Sequence, residues 1–191
     1  MSDLIVPKNA RPVDSTFGAP LEPIGNPLTA GIGPGAWADR SDRPDLTYKG
    51  VPRIVPMRVA TDFFVAHEDP DPRGLEVKGM DGAVGGKVVD LWVDRSEPGL
   101  RYLELELTEG GRRLLPVPFL RVPRPEGLLP FMSDSKAASH VQIHVLKAAD
   151  FAGIPQTKAA DTVTLLEEDK ISAYFGAGSL WNSDLRFGPL M

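Results

Sequence analysis

Two short alternating runs, separated by one tight turn, restrict this chain more than anything else in it. In Lys87-Val88-Val89-Asp90-Leu91-Trp92-Val93-Asp94, Val89, Leu91 and Val93 share one face of a strand. Val88, Asp90, Trp92 and Asp94 share the other. In Arg101-Tyr102-Leu103-Glu104-Leu105-Glu106-Leu107, the leucines are expected inward and Tyr102, Glu104 and Glu106 outward. Arg95-Ser96-Glu97-Pro98-Gly99 between the runs is a turn by composition, and Glu109-Gly110-Gly111 makes the next one. Leu114 to Leu120 follows, with Pro116 and Pro118 suited to an edge strand or a bulge. Three short strands with strong turns describe a meander, which is marginal alone. Residues 77–84 and 141–145 can supply the strands that close it. The expected fold is therefore mainly β, a small antiparallel barrel centred on residues 84–122.

The flanks read differently. Residues 1–36 are punctuated by Pro7, Pro12, Pro20, Pro23, Pro27 and Pro34, each of which removes a backbone donor and blocks a helix. Apolar residues recur too regularly there for a solvated linker, so an extended docking segment is expected. Residues 37–191 form the second unit. It begins with a charge-rich stretch, 37–62, read as a solvated loop before the first strand. Residues 148–154 are expected to form one helical turn. Thr164 and Glu167 have the spacing of a capping box, with acidic residues in the first turn, where the helix dipole favours them. A short C-terminal helix over about 165–175 is expected, ended by Gly176 and Gly178.

Composition narrows the function. The formal net charge is −5, which argues against coating nucleic acid or adsorbing to an anionic membrane. There is no cysteine, so disulfides and thiolate chemistry are excluded. The N-terminus lacks a signal-peptide pattern, and no run approaches the roughly 20 apolar residues that span a bilayer. A soluble, cytoplasmic chain is expected. His140 and His144 have the i, i+4 spacing of helical metal ligands, but they fall in a strand pattern and lack a third ligand. Gly31-Ile32-Gly33-Pro34-Gly35 follows no convincing strand, and Pro34 removes an amide that a phosphate loop needs. No catalytic motif is present. Asp94, Glu97 and Arg101 at one end of the first hairpin are the most suggestive group, since a carboxylate near an apolar surface can carry protons.

The residues Gly86-Lys87-Val88-Val89-Asp90-Leu91-Trp92-Val93-Asp94 resemble the signature of a PRC-barrel. More narrowly, the chain resembles the H subunit of the purple-bacterial photosynthetic reaction centre. Gly25-Asn26-Pro27-Leu28, Trp37, Pro56-Met57, Arg101-Tyr102-Leu103-Glu104, Arg113-Leu114-Leu115-Pro116, Phe151-Ala152-Gly153-Ile154-Pro155 and Val163 to Ile171 fall in the family's order. The resemblance implies a non-catalytic, pigment-free subunit at the cytoplasmic face of the L and M subunits, peripheral to the photosynthetic membrane. Such a subunit stabilises the complex and assists proton transfer to the secondary quinone. Quinone, non-haem iron, bacteriochlorophyll and bacteriopheophytin are implied in partner subunits, and none is implied in this chain. Light-harvesting polypeptides and a separate transmembrane anchor chain are further candidate neighbours.

By position, Asp94, Glu97 and Arg101 match family residues of the proton route and quinone-side charge cluster, and Asp42 and Asp45 match acidic residues near its outer mouth. The family's surface histidines are replaced by Lys49 and Val51, with Thr47 where an acid would stand. Threonine and valine do not titrate near neutral pH and lysine ordinarily stays protonated, so the proton entrance is expected to have moved. The family's N-terminal transmembrane helix is also missing from this sequence, and residues 124–139 are an insertion. Two other readings compete: a stand-alone PRC-barrel binding module, such as one in ribosome maturation, and a small metal protein using His140 and His144.

Overall fold

The computed structural model describes residues 6–123 and 139–182. Its strands are β1 (Ala10–Pro12), β2 (Leu21–Pro23), β3 (Ile54–Pro56), β4 (Glu76–Lys78), β5 (Val84–Asp94), β6 (Gly99–Leu107), β7 (Arg112–Pro116), β8 (Leu120–Arg121) and β9 (His140–Ile143). One helix, α1 (Leu165–Trp181), follows a 3-10 turn at Ala148–Gly153. The fold is mainly β, as the alternation requires. The insertion at 124–139 lies, but for Ser139, outside the described residues.

Strands β1 and β2 pair only with each other, and the rest form one sheet in the order β7-β6-β5-β4-β9-β8. The length of β5 organises that sheet. Its first half pairs with β4, its second half pairs with β3, and its other edge carries β6. Strands β7 and β8 stand at opposite ends of the order, yet only the 3-10 turn Val117–Phe119 separates them in the chain. The sheet must therefore curl on itself. Pro116 is the last paired residue of β7, opposite Tyr102, and Pro118 lies in the turn beyond the ladder. One pairing departs from the expected antiparallel pattern. Strand β4 runs parallel to β9, which is possible because the whole β5–β8 meander intervenes as a crossover.

The barrel core is built from Val77, Val88, Leu91, Leu103, Leu105, Leu115, Val141 and Ile143, with Phe151, Ile154, Ile171 and Phe175 packed around it. The register of β5 shifts between Val88 and Asp90 and again between Trp92 and Val93. The first shift turns Val88 inward opposite Leu105 and leaves Val89 half-buried, which simple alternation misses. Tyr102 and Glu104, expected outward, are buried. Their face is covered from outside: Tyr102 reaches Glu168 of α1, and Glu104 meets Arg58 and Arg112. Glu106 is exposed, as expected.

Thr164 caps α1 through its hydroxyl, which accepts the Glu167 amide at 3.1 Å, and the Glu167 carboxylate accepts the Thr164 amide at 2.8 Å. The helix does not stop near residue 175 but runs on to Trp181. Gly176 and Gly178 are interior positions, not terminators. A Cβ on Gly176 would stand 2.6 Å from the Pro34 carbonyl oxygen, and one on Gly178 would press on that of Val145. These glycines let other backbone segments approach the helix. On one side the 3-10 turn Gly33–Gly35 rests on α1, with Gly35 against Ala177. The stretch 37–62 also departs from its expected solvated loop. Pro44 bridges to Thr164, Leu46 bridges to Pro52, and all three residues of β3 are buried.

Candidate functional site

Asp94 is the last residue of β5 and is fully buried, although it adjoins a turn. Pairing of β3 with the end of β5 sets Ile54 opposite Asp94 and brings the preceding Arg53 alongside. The Arg53 guanidinium donates to Asp94 from Nε at 2.8 Å and lies 2.7 Å away at Nη2. The amides of Ser96 and Glu97 donate to the same carboxylate at 2.8 and 3.1 Å. Burial alone would push the Asp94 carboxyl up. The Arg53 fork and the two amides outweigh it and hold the group below the usual carboxylate range. Arg53 is held above its ordinary value, chiefly by its hydrogen bonds to Asp94.

The same guanidinium reaches Asp45 at 3.3 Å and Glu97 at 3.6 Å. The Glu97 side chain is 79% exposed, so this last contact is loose. Arg101 is exposed at the start of β6. Its charge acts on Glu168, in the first turn of α1, whose carboxylate accepts the Tyr102 hydroxyl at 3.1 Å. Burial pushes Glu168 up, and the Asp45 charge adds to the rise. The Tyr102 hydrogen bond and the Arg101 and Arg53 charges offset it only in part. Burial and the Glu168 charge in turn raise the Tyr102 phenol. Asp45, Arg53, Asp94, Glu97, Arg101, Tyr102 and Glu168 thus form one electrostatic group at the β5–β6 turn.

Of the five residues singled out from the sequence, four meet in this group. Asp42 is engaged elsewhere. Its carboxylate pairs with Lys158 and accepts the Thr164 hydroxyl at 3.0 Å, and these partners, Lys158 first, lower its pKa. It ties the chain to the start of α1. Thr47, Lys49 and Val51 lie on a tight turn, closed by Thr47 N–H to the Val51 carbonyl at 2.8 Å. Tyr48 at its tip is 93% exposed, and Lys49 lies over its ring.

Arg53 and Glu168 were not visible as site residues in the sequence. Neither was a second cluster further along β5. Asp90 and Glu104 face each other across β5 and β6, both buried. Arg58 bridges them at 2.8 and 2.5 Å and reaches Asp161 at 2.9 Å. Arg112 and the Trp92 indole N–H complete the Glu104 carboxylate at 2.8 and 3.0 Å. His140 lies in β9 with its Nδ1 2.8 Å from the Ser139 hydroxyl. Among the described residues, no three His, Cys, Asp or Glu side chains gather as metal ligands.

A family model described as the photosynthetic reaction centre H-chain N-terminal region matches residues 5–59. A second, the PRC-barrel domain, matches residues 64–133. The chain is an H-subunit-like protein. The H chains are non-catalytic, pigment-free subunits, and the H-subunit-like chain is in general terms a reaction-centre accessory subunit. The two matched regions meet at the site: the first contributes Asp45 and Arg53, and the second contributes Asp94, Glu97, Arg101 and Tyr102. Among the described residues, no helix is long and apolar enough to cross a membrane.

Proposed function

We propose that this H-subunit-like chain caps the cytoplasmic face of a reaction centre's L and M subunits and passes protons toward the secondary quinone from the β5–β6 turn. The observation that carries this reading is the grading of the carboxylates around Arg53. Asp94 is held below the usual carboxylate range by Arg53 and two backbone amides and serves as a fixed charge. Glu168 is pushed up by burial and accepts the Tyr102 hydroxyl next to the turn. Glu97 is exposed beside them and free to meet a partner. Docking at the turn would bring Glu97 against the partner's surface. Quinone, iron and pigments belong, in this reading, to the partner subunits, and residues 1–36 are a docking segment. Asp42 is read as outer support for the route, not as a proton carrier. With Thr47, Lys49 and Val51 on the neighbouring turn, entry is assigned to Glu97.

The test is Glu97→Gln in the assembled complex. Proton-coupled reduction of the secondary quinone should slow by about tenfold, an increase of roughly 1.4 kcal/mol in the barrier, while assembly survives. An unchanged second-electron rate across the pH range would remove Glu97 from the route.

A further inference from the structure

Between residues 61–72 and the β5–β6 turn lies an open groove of about 520 Å³. Phe63, Phe64 and Val65 line one side, Pro98 and Leu100 the other, and Val93 also contributes. Phe64 is 85% exposed and Leu100 40% exposed. A phenylalanine left in water forgoes burial that a covering partner would recover. The rim is acidic. Asp69 lines the groove, Asp62 and Glu68 are exposed on the same segment, and Glu97 immediately precedes Pro98. The nearby cations are partly engaged: Arg95 points to the Val59 carbonyl at 3.5 Å and Arg73 is paired with Asp71, while Arg101 follows Leu100.

An acidic rim repels anionic headgroups, and it repels a second copy of a chain whose net charge is −5. It complements a polypeptide that carries apolar side chains among basic ones. The groove reaches Pro98, which follows Glu97 in the chain, so whatever fills it lies beside the β5–β6 turn.

We propose that this groove seats a segment of a partner polypeptide presenting one or two large apolar side chains flanked by lysine or arginine. The proposal rests on the accessory-subunit reading and specifies the chemistry of the contact. In the test, reaction-centre cores stripped of this chain rebind the full-length wild type, Phe64→Ser, the double variant Asp62→Lys/Asp69→Lys, or Val84→Ser, an exposed position at the far end of β5. Wild type and Val84→Ser should bind alike. Phe64→Ser and the charge-reversed chain should each lose about tenfold in affinity, and rising salt should weaken the wild type. An unfolding midpoint equal to wild type confirms that the exposed substitutions leave the fold intact. If the wild type binds and both groove variants bind equally well, the groove proposal fails and the accessory reading stands. If the cores do not bind the wild type, both fail. Phe64-dependent binding to phosphatidylcholine–phosphatidylglycerol vesicles, or a Phe64-dependent dimer in sedimentation, would assign the groove to lipid or to a second copy and overturn the proposal.

Discussion

Strand β5 carries two carboxylate clusters, and they are built to opposite ends. Midway along it, Asp90 and its cross-strand neighbour Glu104 are enclosed and answered by Arg58, Arg112 and the Trp92 indole. At its end, Asp94 is answered by Arg53, but Glu97 stays in water and Glu168 is only partly compensated. In the first arrangement every carboxylate oxygen faces a cation or a donor. The second combines a fixed anion, an adaptable acid and an exposed one. Carboxylates along the same strand can therefore be fully enclosed by counter-ions or left partly open, and the residues packed against them decide which.

The sharpest way to break this contrast is Arg58→Met. It would leave two buried carboxylates facing each other without the cation that joins them and should destabilise the chain by about 3 kcal/mol, read in denaturant unfolding. A loss below about 1 kcal/mol would mean that the inner cluster is not structural. Asp94→Asn should cost less, about 2 kcal/mol, since Arg53 retains Asp45 and some solvent. Its pH signature follows from the lowered pKa. The stabilisation is present above the unfolded carboxylate value and is lost as pH falls through the folded one. Wild type and Asp94→Asn should thus converge in stability only in acid, and parallel curves there would refute the ion pair's role.

Thr164→Ala removes the α1 cap and should cost about 1 kcal/mol, visible as a lower thermal midpoint. The smallest effect has the opposite sign. Because the Glu168 pKa is raised, its contribution is favourable below the unfolded carboxylate value and is lost as pH rises through the folded one. Glu168→Gln, which can still accept from Tyr102, should therefore be more stable than wild type at neutral pH by about 0.5 kcal/mol and equal to it near pH 3. A variant less stable at neutral pH would place Glu168 in the structural class with Glu104.

The barrel was legible in the sequence because period two survives in β6, and because the turns at 95–99 and 109–111 are chemically explicit. The α1 start was legible because a capping box is a local signal. What escaped was non-local. Arg53 and Arg58 lie in a stretch that reads as a charged loop, and their partners stand 41 and 32 residues further on. Two acids sharing a strand face with Trp92 and Tyr102 were the available hint that this face is covered, since aromatic residues of that size are seldom left in water. The end of α1 was misplaced for a related reason: glycine marks a helix stop in one context and a close backbone contact in another, and only the neighbour distinguishes them. The site followed the same division, with Asp94, Glu97 and Arg101 evident from the turn and Glu168 brought in by packing.

The glycine contacts on α1 carry one more consequence. Gly176 and Gly178 lie about 12–15 Å along the axis from Glu168. The Pro34 and Val145 carbonyls abut the helix at these two positions. Alanine at either would press on that backbone and should shift the helix, and with it the Tyr102–Glu168 contact at its first turn. The setting of that carboxylate thus depends on the absence of a methyl group roughly two to three turns away.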